Sequence, residues 1–195
     1  MSPAVIALLV AAGVVVLVGL VAGLWAVGVY NGLVKSRAGV ERAWADIETV
    51  LKRRHDLIPN LVETVKGYAT HEKETLENVI AARNGAVAAT GSSGVSNSIA
   101  AEGALSGTLR QLFAVAEAYP DLKANDNFRQ LQDELGDTED QIARQRTGYN
   151  RQVEAHNVRV ESFPTNVIAG MFGFKAGEFF ETESAVEREA PKVQF

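Results

Sequence analysis

The chain has 195 residues, with 24 acidic and 19 basic side chains and no cysteine. The acidic balance argues against a nucleic-acid-binding protein, because the phosphate backbone demands a basic face. The lack of cysteine excludes a disulfide framework and fits a reducing cytosol without requiring one. Charge is uneven along the chain. Residues 35–54 hold six basic and three acidic side chains, so the net charge of −5 leaves −8 for the remainder.

The first element is an apolar run that ends before the first charged side chain, Lys35. From Ala4 to Tyr30 a helix would be about 40 Å long, and the hydrocarbon core of a bilayer is about 30 Å thick. We therefore predict one transmembrane helix in residues 1–34, with Trp25 and Tyr30 near the interface. A cleaved signal peptide is the alternative, but its apolar stretch would have only about 7–15 residues.

Basic side chains follow the apolar run and none precedes it. This asymmetry predicts a single-pass protein with its N-terminus outside and its main domain in the cytoplasm. Lys35, Arg37 and Arg42 form a predicted basic collar that faces anionic lipid headgroups at the membrane surface.

Small residues within the apolar run favour helix association. Gly19 and Gly23 are four residues apart, as are Gly28 and Gly32. This spacing lets two helices approach closely in lipid, so we expect a homo-oligomer. The alternative is that glycine is simply common in membrane helices.

Residues 35–162 have the periodicity of an all-α domain. Apolar positions from Val40 to Val65 alternate in steps of four and three, with a basic interruption at Arg54. We predict an elongated antiparallel bundle of four helical segments; the alternative is two long kinked arms that form a helical hairpin. The predicted boundaries are an arm over 30–89 that breaks or kinks at Pro59, a flexible loop over 90–98, and helices over 99–118 and 124–160.

The end of the chain has an aromatic segment and a charged tail. An even number of helical passes returns the segment 163–180 to the bilayer. Its uncharged part is too short to span. We interpret it as a cap on the end of the bundle or as a contact with the membrane or a partner. The contact candidates are Phe163, Val167, Ile168, Met171, Phe172 and Phe174. Residues 181–195 are predicted to be a flexible acidic tail.

No motif for catalysis or cofactor binding is present in the sequence. The histidines, at positions 55, 71 and 156, have no zinc-binding spacing, and no phosphate loop or nucleophile elbow occurs. Polar residues on the helical seams, such as Arg54, Thr138 and His156, are predicted to set the pairing of the helices. We therefore expect no catalytic residue, no cofactor and no metal.

A set of motifs in one order along the chain resembles the LemA family. The motifs are Tyr30-Asn31, Ala43-Trp44, LKRRHDLIPNLV at 51–62, VKGYA at 65–69, His71-Glu72, YPDLKAN at 119–125, Tyr149-Asn150, Phe163-Pro164 and Asn166. The resemblance implies a bacterial membrane protein with an external N-terminus and a helical bundle. It implies no reaction, since the family has no established catalytic residues. A branch in magnetosome membranes favours a scaffolding role.

Three hypotheses for the function follow. The first is a non-enzymatic scaffold at the bacterial cytoplasmic membrane that self-associates or binds a partner protein. The second is a regulatory adaptor for another membrane protein, such as a protease or a transporter, with the acidic outer face as its contact surface. The third is an enzyme or a metal-binding protein, for which the sequence offers no motif.

Overall fold

The computed structural model describes residues 2–92 and 94–180, and within them every regular element is an α-helix, as predicted. The tail at 181–195 lies outside the described residues. The helices are α1 (Pro3–Lys66), α2 (Lys73–Ser92), α3 (Val95–Ala116), α4 (Pro120–Ala124), α5 (Asp126–Glu161) and α6 (Thr165–Met171). The described chain divides into two compact units. Unit 1 contains residues up to 41 and residues 151–177, and unit 2 contains residues 42–150 and 178–180.

Helix α1 continues through Pro59 to Lys66, so of the break or kink predicted at this proline, the break is wrong. Proline has no N–H and cannot donate to the carbonyl of residue 55, four positions earlier. In the structure Arg83 Nε donates to His55 O over 3.2 Å and replaces that missing donor. The side chains on either side, Ile58 and Leu61, are fully buried. Packing and a substitute donor therefore keep the helix intact.

The predicted arm over 30–89 is wrong at another point, because α1 ends at Lys66 and α2 begins at Lys73. Gly67, a poor helix former, follows the last helical residue. The amides of Tyr68 and Ala69 both bond to Val65 O, which closes the turn. The helical run is therefore two helices joined by six residues.

The connection between α2 and α3 is also shorter than the predicted loop over 90–98. Helix α2 reaches Ser92 and α3 begins at Val95. Gly94 has a φ of +81°, which residues with a side chain rarely adopt. Ser98 is buried, and its hydroxyl contacts Ala89 O and Gly94 O, both at 3.1 Å. A buried polar contact thus joins the start of α3 to α2 in a stretch whose composition predicts a loop.

Unit 2 has one hydrophobic core to which five helices contribute. The seam predicted for α1 is buried here, including Ile47, Leu51 and Val65. The central core residues are Ile58, Leu61, Val65, Val79, Leu105, Leu112, Leu122, Phe128 and Leu135. The four longer helices of this unit give the helical bundle that the periodicity predicts.

The short helix α4 closes the end of this bundle. Pro120 occupies its first turn, where a missing N–H costs nothing. Asn125 caps α5, since its Oδ1 accepts from the Phe128 amide at 3.0 Å. Tyr119 donates to Glu72 Oε1 at 3.1 Å, and this hydrogen bond raises the pKa of the phenol. The motifs at 68–72 and 119–125 therefore hold the two turns together.

Candidate functional site

In unit 1, α6 packs against α1. Leu33 is buried against Ile168 and Ala169 of α6. The partly buried residues around them are Ala26, Val29, Val160 and Phe174. The aromatic segment thus returns to α1, as the even number of passes predicts. Of the six contact candidates, Ile168 belongs to this small core, because it is only 8% exposed.

Aromatic rings and one basic side chain join the segment to α1. The ring of Tyr30 lies 4.8 Å from Phe172 and 5.7 Å from Phe174, both edge-on. The Arg37 guanidinium lies 5.4 Å from the centre of the Phe174 ring, at a distance typical of a cation–π contact. It is also 3.6 Å from Glu41. Arg37 of the predicted collar is therefore part of the same surface as the aromatic segment.

Four apolar side chains of this segment are exposed, although the ring of one of them, Phe172, also contacts Tyr30. Phe163 and Met171 are 82% and 73% exposed, and Val167 and Phe172 are 53% and 60% exposed. Clustered apolar groups of this size are rarely left in water. This outward face, defined by these four residues, is called the α6 face below.

The structure also locates the four glycines of the apolar run and the other two residues of the basic collar. Gly19, Gly23 and Gly28 have open space where a Cβ would lie. Gly32 does not, because Arg159 approaches that position to 3.4 Å and donates to Gly32 O at 3.0 Å. Lys35 of the collar is exposed in unit 1, and Arg42 is exposed in unit 2.

Asparagines of α5 hold the extended residues that follow α6. In unit 1, Asn157 donates to Gly177 O at 3.0 Å and accepts from the Gly177 amide at 2.7 Å. In unit 2, Asn150 makes the same pair of bonds with Phe180, at 3.1 and 2.8 Å. Each amide side chain replaces a backbone partner that an extended segment would otherwise lack. Each of the two directly follows a residue of the α5 seam, Tyr149 or His156.

His156 is a buried structural residue of unit 1. Its Nε2 lies 3.0 Å from Lys175 O, and because a carbonyl only accepts, this nitrogen carries a proton. Its Nδ1 lies 2.9 Å from Ser36 Oγ, which also lies 2.9 Å from Leu33 O. The ring therefore joins α1, α5 and the extended segment.

An ionic cluster lies inside unit 2, between α1 and α3. Glu102 Oε1 is 2.5 Å from His55 Nε2, and Glu102 Oε2 is 3.6 Å from Arg54 Nη1. Arg54 also donates to Ser106 Oγ at 2.9 Å. Arg54, His55 and Glu102 are 4%, 4% and 7% exposed. Glu102 was not predicted, because one acidic residue in a helix between apolar positions has no distinguishing spacing.

Unit 2 also has an apolar groove on its surface. Among the described residues no group of three or more acidic or histidine side chains could hold a metal ion. A groove of about 730 Å³ lies between the end of α1 and α2. Its floor includes Val62, Leu76 and Ile80, and Lys66 and Lys73 lie at its side. Such a groove, apolar with a few charges, can accept part of another protein.

A second concave surface lies between α3 and α5. It has a volume of about 590 Å³ and includes Asp133, Asp137 and Asp140 with Arg110. The three carboxylates recur at helical spacing, so they lie on one side of α5. These exposed carboxylates are therefore candidates for the acidic contact surface that the adaptor hypothesis requires.

The sequence was compared with protein families and with curated proteins. A family profile described as the LemA family matches residues 43–195, which is more than half of the chain. The chain is 27% identical to Magnetosome protein MamQ 2 of Paramagnetospirillum magneticum over 80% of this chain and 66% of the relative. It is 25% identical to Magnetosome protein MamQ of Magnetospirillum gryphiswaldense, with the same coverage. It is 29% identical to Protein LemA of Metamycoplasma hominis over 73% of this chain and 64% of the relative.

Proposed function

Because this chain belongs to the LemA family and its α1 is long and apolar enough to cross a membrane, we propose that it is a single-pass membrane scaffold without enzymatic activity. In this proposal the N-terminus lies outside, and the helical bundle binds partner proteins or further copies of the chain at the bacterial cytoplasmic membrane. The match spans slightly less than two thirds of the length of the curated relatives. The orientation and the binding role are therefore proposals for this chain.

One observation carries the proposal: α1 contains both the apolar run and a large part of the buried seam of unit 2. The apolar part, including Leu8, Val15 and Leu24, is exposed over its length. Such a surface suits lipid, because about 20 apolar residues in a row match the hydrocarbon core. The relatives named as magnetosome proteins favour an organising role of this kind.

Two surfaces support binding of other chains. Gly19 and Gly23 have open space on the apolar helix, as a close helix pair in lipid requires. The groove between α1 and α2 has an apolar floor, as partner-binding grooves have. The buried ionic cluster, in contrast, joins α1 to α3 inside the bundle.

The test is the size of the full-length protein in lipid nanodiscs, together with affinity recovery from native membranes. The proposal expects oligomers that Gly19→Ile and Gly23→Ile weaken, whereas Gly13→Ile serves as the matched control. It also expects recovery of a specific partner protein. Ile80→Glu places a negative charge in the groove and should abolish that recovery. A strict monomer that recovers nothing would contradict the proposal.

The proposed orientation has a direct test, because the sequence contains no cysteine. A membrane-impermeant maleimide added to spheroplasts should label Ser2→Cys and spare Val87→Cys until the cells are opened. The opposite pattern would place the bundle on the outside.

The acidic surface on α5 favours a second candidate, a regulatory adaptor for another membrane protein. Asp133, Asp137 and Asp140 would then contact a basic partner. Charge reversal of Asp133 and Asp137 should abolish recovery of the partner and leave the oligomer size unchanged. Unchanged recovery would remove this candidate.

A further inference from the structure

The α6 face lies on unit 1 beside residues 26–33 of α1, where the apolar run ends. This position indicates what the face binds. We infer that the α6 face inserts into the lipid interface and forms a second membrane contact next to the transmembrane helix. This inference rests on the membrane anchoring proposed above. It adds a surface that neither the family match nor the names of the relatives assign.

The length of the apolar run sets the depth of α6. Counted from Ala4, about 20 residues cross the hydrocarbon core and end near Leu24. The first charged side chain follows only at Lys35. The headgroup layer adds about 5–7.5 Å on each side, since the bilayer is about 40–45 Å thick in total. Of the residues of α1 that α6 covers, Ala26 and Val29 therefore lie in this layer, and Leu33 lies about 6 Å beyond it.

The chemistry of α6 fits that layer. No charged side chain occurs from Ser162 to Phe174. Within α6, Val167 and Met171 are four residues apart, so they share one side of the helix. Phe163 precedes α6 and is exposed as well. Aromatic and apolar side chains on one side of a short helix are what an interfacial helix buries by about 5–10 Å.

Backbone polar groups of this segment are also hydrogen-bonded, as burial in a region poor in water requires. The amides of Asn166 and Phe172 bond to Ser162 O and Ile168 O, at 2.8 and 3.1 Å. Phe174 N bonds to Ala169 O at 2.9 Å. The Thr165 hydroxyl lies 2.6 Å from Arg159 O and 2.7 Å from Ser162 O. Because these groups are paired within the segment, burial in the interface leaves few of them without a partner.

Basic side chains lie close to the uncharged stretch, and the residue that directly precedes it, Glu161, is acidic. Lys175 follows it directly and is exposed. Lys35 and Arg37 lie on α1 just beyond the covered residues, and Arg37 contacts Phe174. Basic side chains in this position extend toward anionic headgroups while their stems cover apolar surface. The lipid surface is therefore a better match for the α6 face than a wholly apolar protein surface.

The experiment uses the full chain in vesicles of phosphatidylcholine and phosphatidylglycerol. Nitroxide labels are placed on single cysteines at Val167, Met171 and Phe172, which no native cysteine disturbs. Collision rates with oxygen, which enters lipid, and with a nickel chelate, which stays in water, give a ratio for each site. Val21→Cys serves as the lipid reference, and Val87→Cys on α2 serves as the water reference.

The inference expects an oxygen-to-nickel ratio above one at all three α6 positions, shifted toward the value at Val21. A ratio like that at Val87 overturns it. Low collision rates with both reagents also overturn it, because a protein then covers the face; spin–spin broadening would identify that protein as a second copy. If Val21 itself reports water, the membrane anchoring fails, and this outcome is distinct from failure at α6 alone.

Discussion

Removing the charge of Glu102 should destabilise unit 2 strongly. Glu102→Gln keeps the size of the side chain but leaves Arg54, which is 4% exposed, without its negative partner. It also weakens the contact with His55, now 2.5 Å long. Loss of one member of a buried ion pair costs about 3–5 kcal/mol. We expect a loss of about 3 kcal/mol in the free energy of unfolding, since the glutamine oxygen still accepts one hydrogen bond.

The matched control is Glu134→Gln, the same substitution at a surface pair. Glu134 lies 3.7 Å from Arg53, and the two side chains are 31% and 56% exposed. Because solvent screens such a pair, its loss should cost less than about 1 kcal/mol. A second control, Arg54→Met with Glu102→Met, removes both charges and should recover much of the lost stability.

The measurement is urea unfolding of the full-length protein in nonionic micelles, followed by far-UV circular dichroism. The difference in midpoint, multiplied by the slope, gives the change in free energy. If Glu102→Gln costs no more than Glu134→Gln, the cluster contributes no net stability and the reasoning is refuted. If the double Met variant is as unstable as the single variant, lost packing rather than unpaired charge is the cause.

The remaining predictions also concern contacts that join distant parts of the chain. Arg83→Met should cost about 1 kcal/mol in unfolding free energy, because His55 O loses its donor, and the cost should shrink in a Pro59→Ala background that restores the helical N–H; equal costs in both backgrounds would refute this. Burial raises the pKa of Tyr149, so its neutral phenol stabilises the fold below about pH 10, and this stabilisation is lost as the pH rises through the raised pKa. In urea unfolding, Tyr149→Phe should therefore lose less unfolding free energy than the parent when the pH is raised above about 10. An identical loss in the two proteins would contradict this prediction. Asn157→Ala removes two hydrogen bonds to the extended segment and should lower the free energy of unfolding by about 1–3 kcal/mol in urea. The control is Asn166→Ala, at an exposed position on α6, and an equal loss in both variants would contradict the prediction.

Local pattern predicts much of this fold. The apolar run, the alternating steps of three and four in α1 and α5, and the all-α class follow from side-chain periodicity, which neighbouring residues determine. The motif at 119–125 likewise predicts its own local structure, since Pro120 suits the first turn of a helix and Asn125 suits a cap. The resemblance to the LemA family is confirmed by the family match over residues 43–195.

The errors occur where a distant residue changes the outcome. Pro59 alone favours a break, but Arg83 supplies a donor to His55 O from another helix. The Gly- and Ser-rich stretch at 90–98 favours a loop, but α2 reaches Ser92 and α3 begins at Val95, where the buried Ser98 contacts Ala89 of α2. Propensity is a weak prior that tertiary contacts override.

The sequence by itself determined that the first part of α1 is long and apolar enough to cross a membrane, because an uncharged run of this length matches the hydrocarbon core as a helix. It also placed an aromatic segment near the returning end of the chain. Only the tertiary structure decided which side of that segment is free. Burial of Ile168 against Leu33 turns Val167 and Met171 outward, and a helix that packs on one face must expose the other.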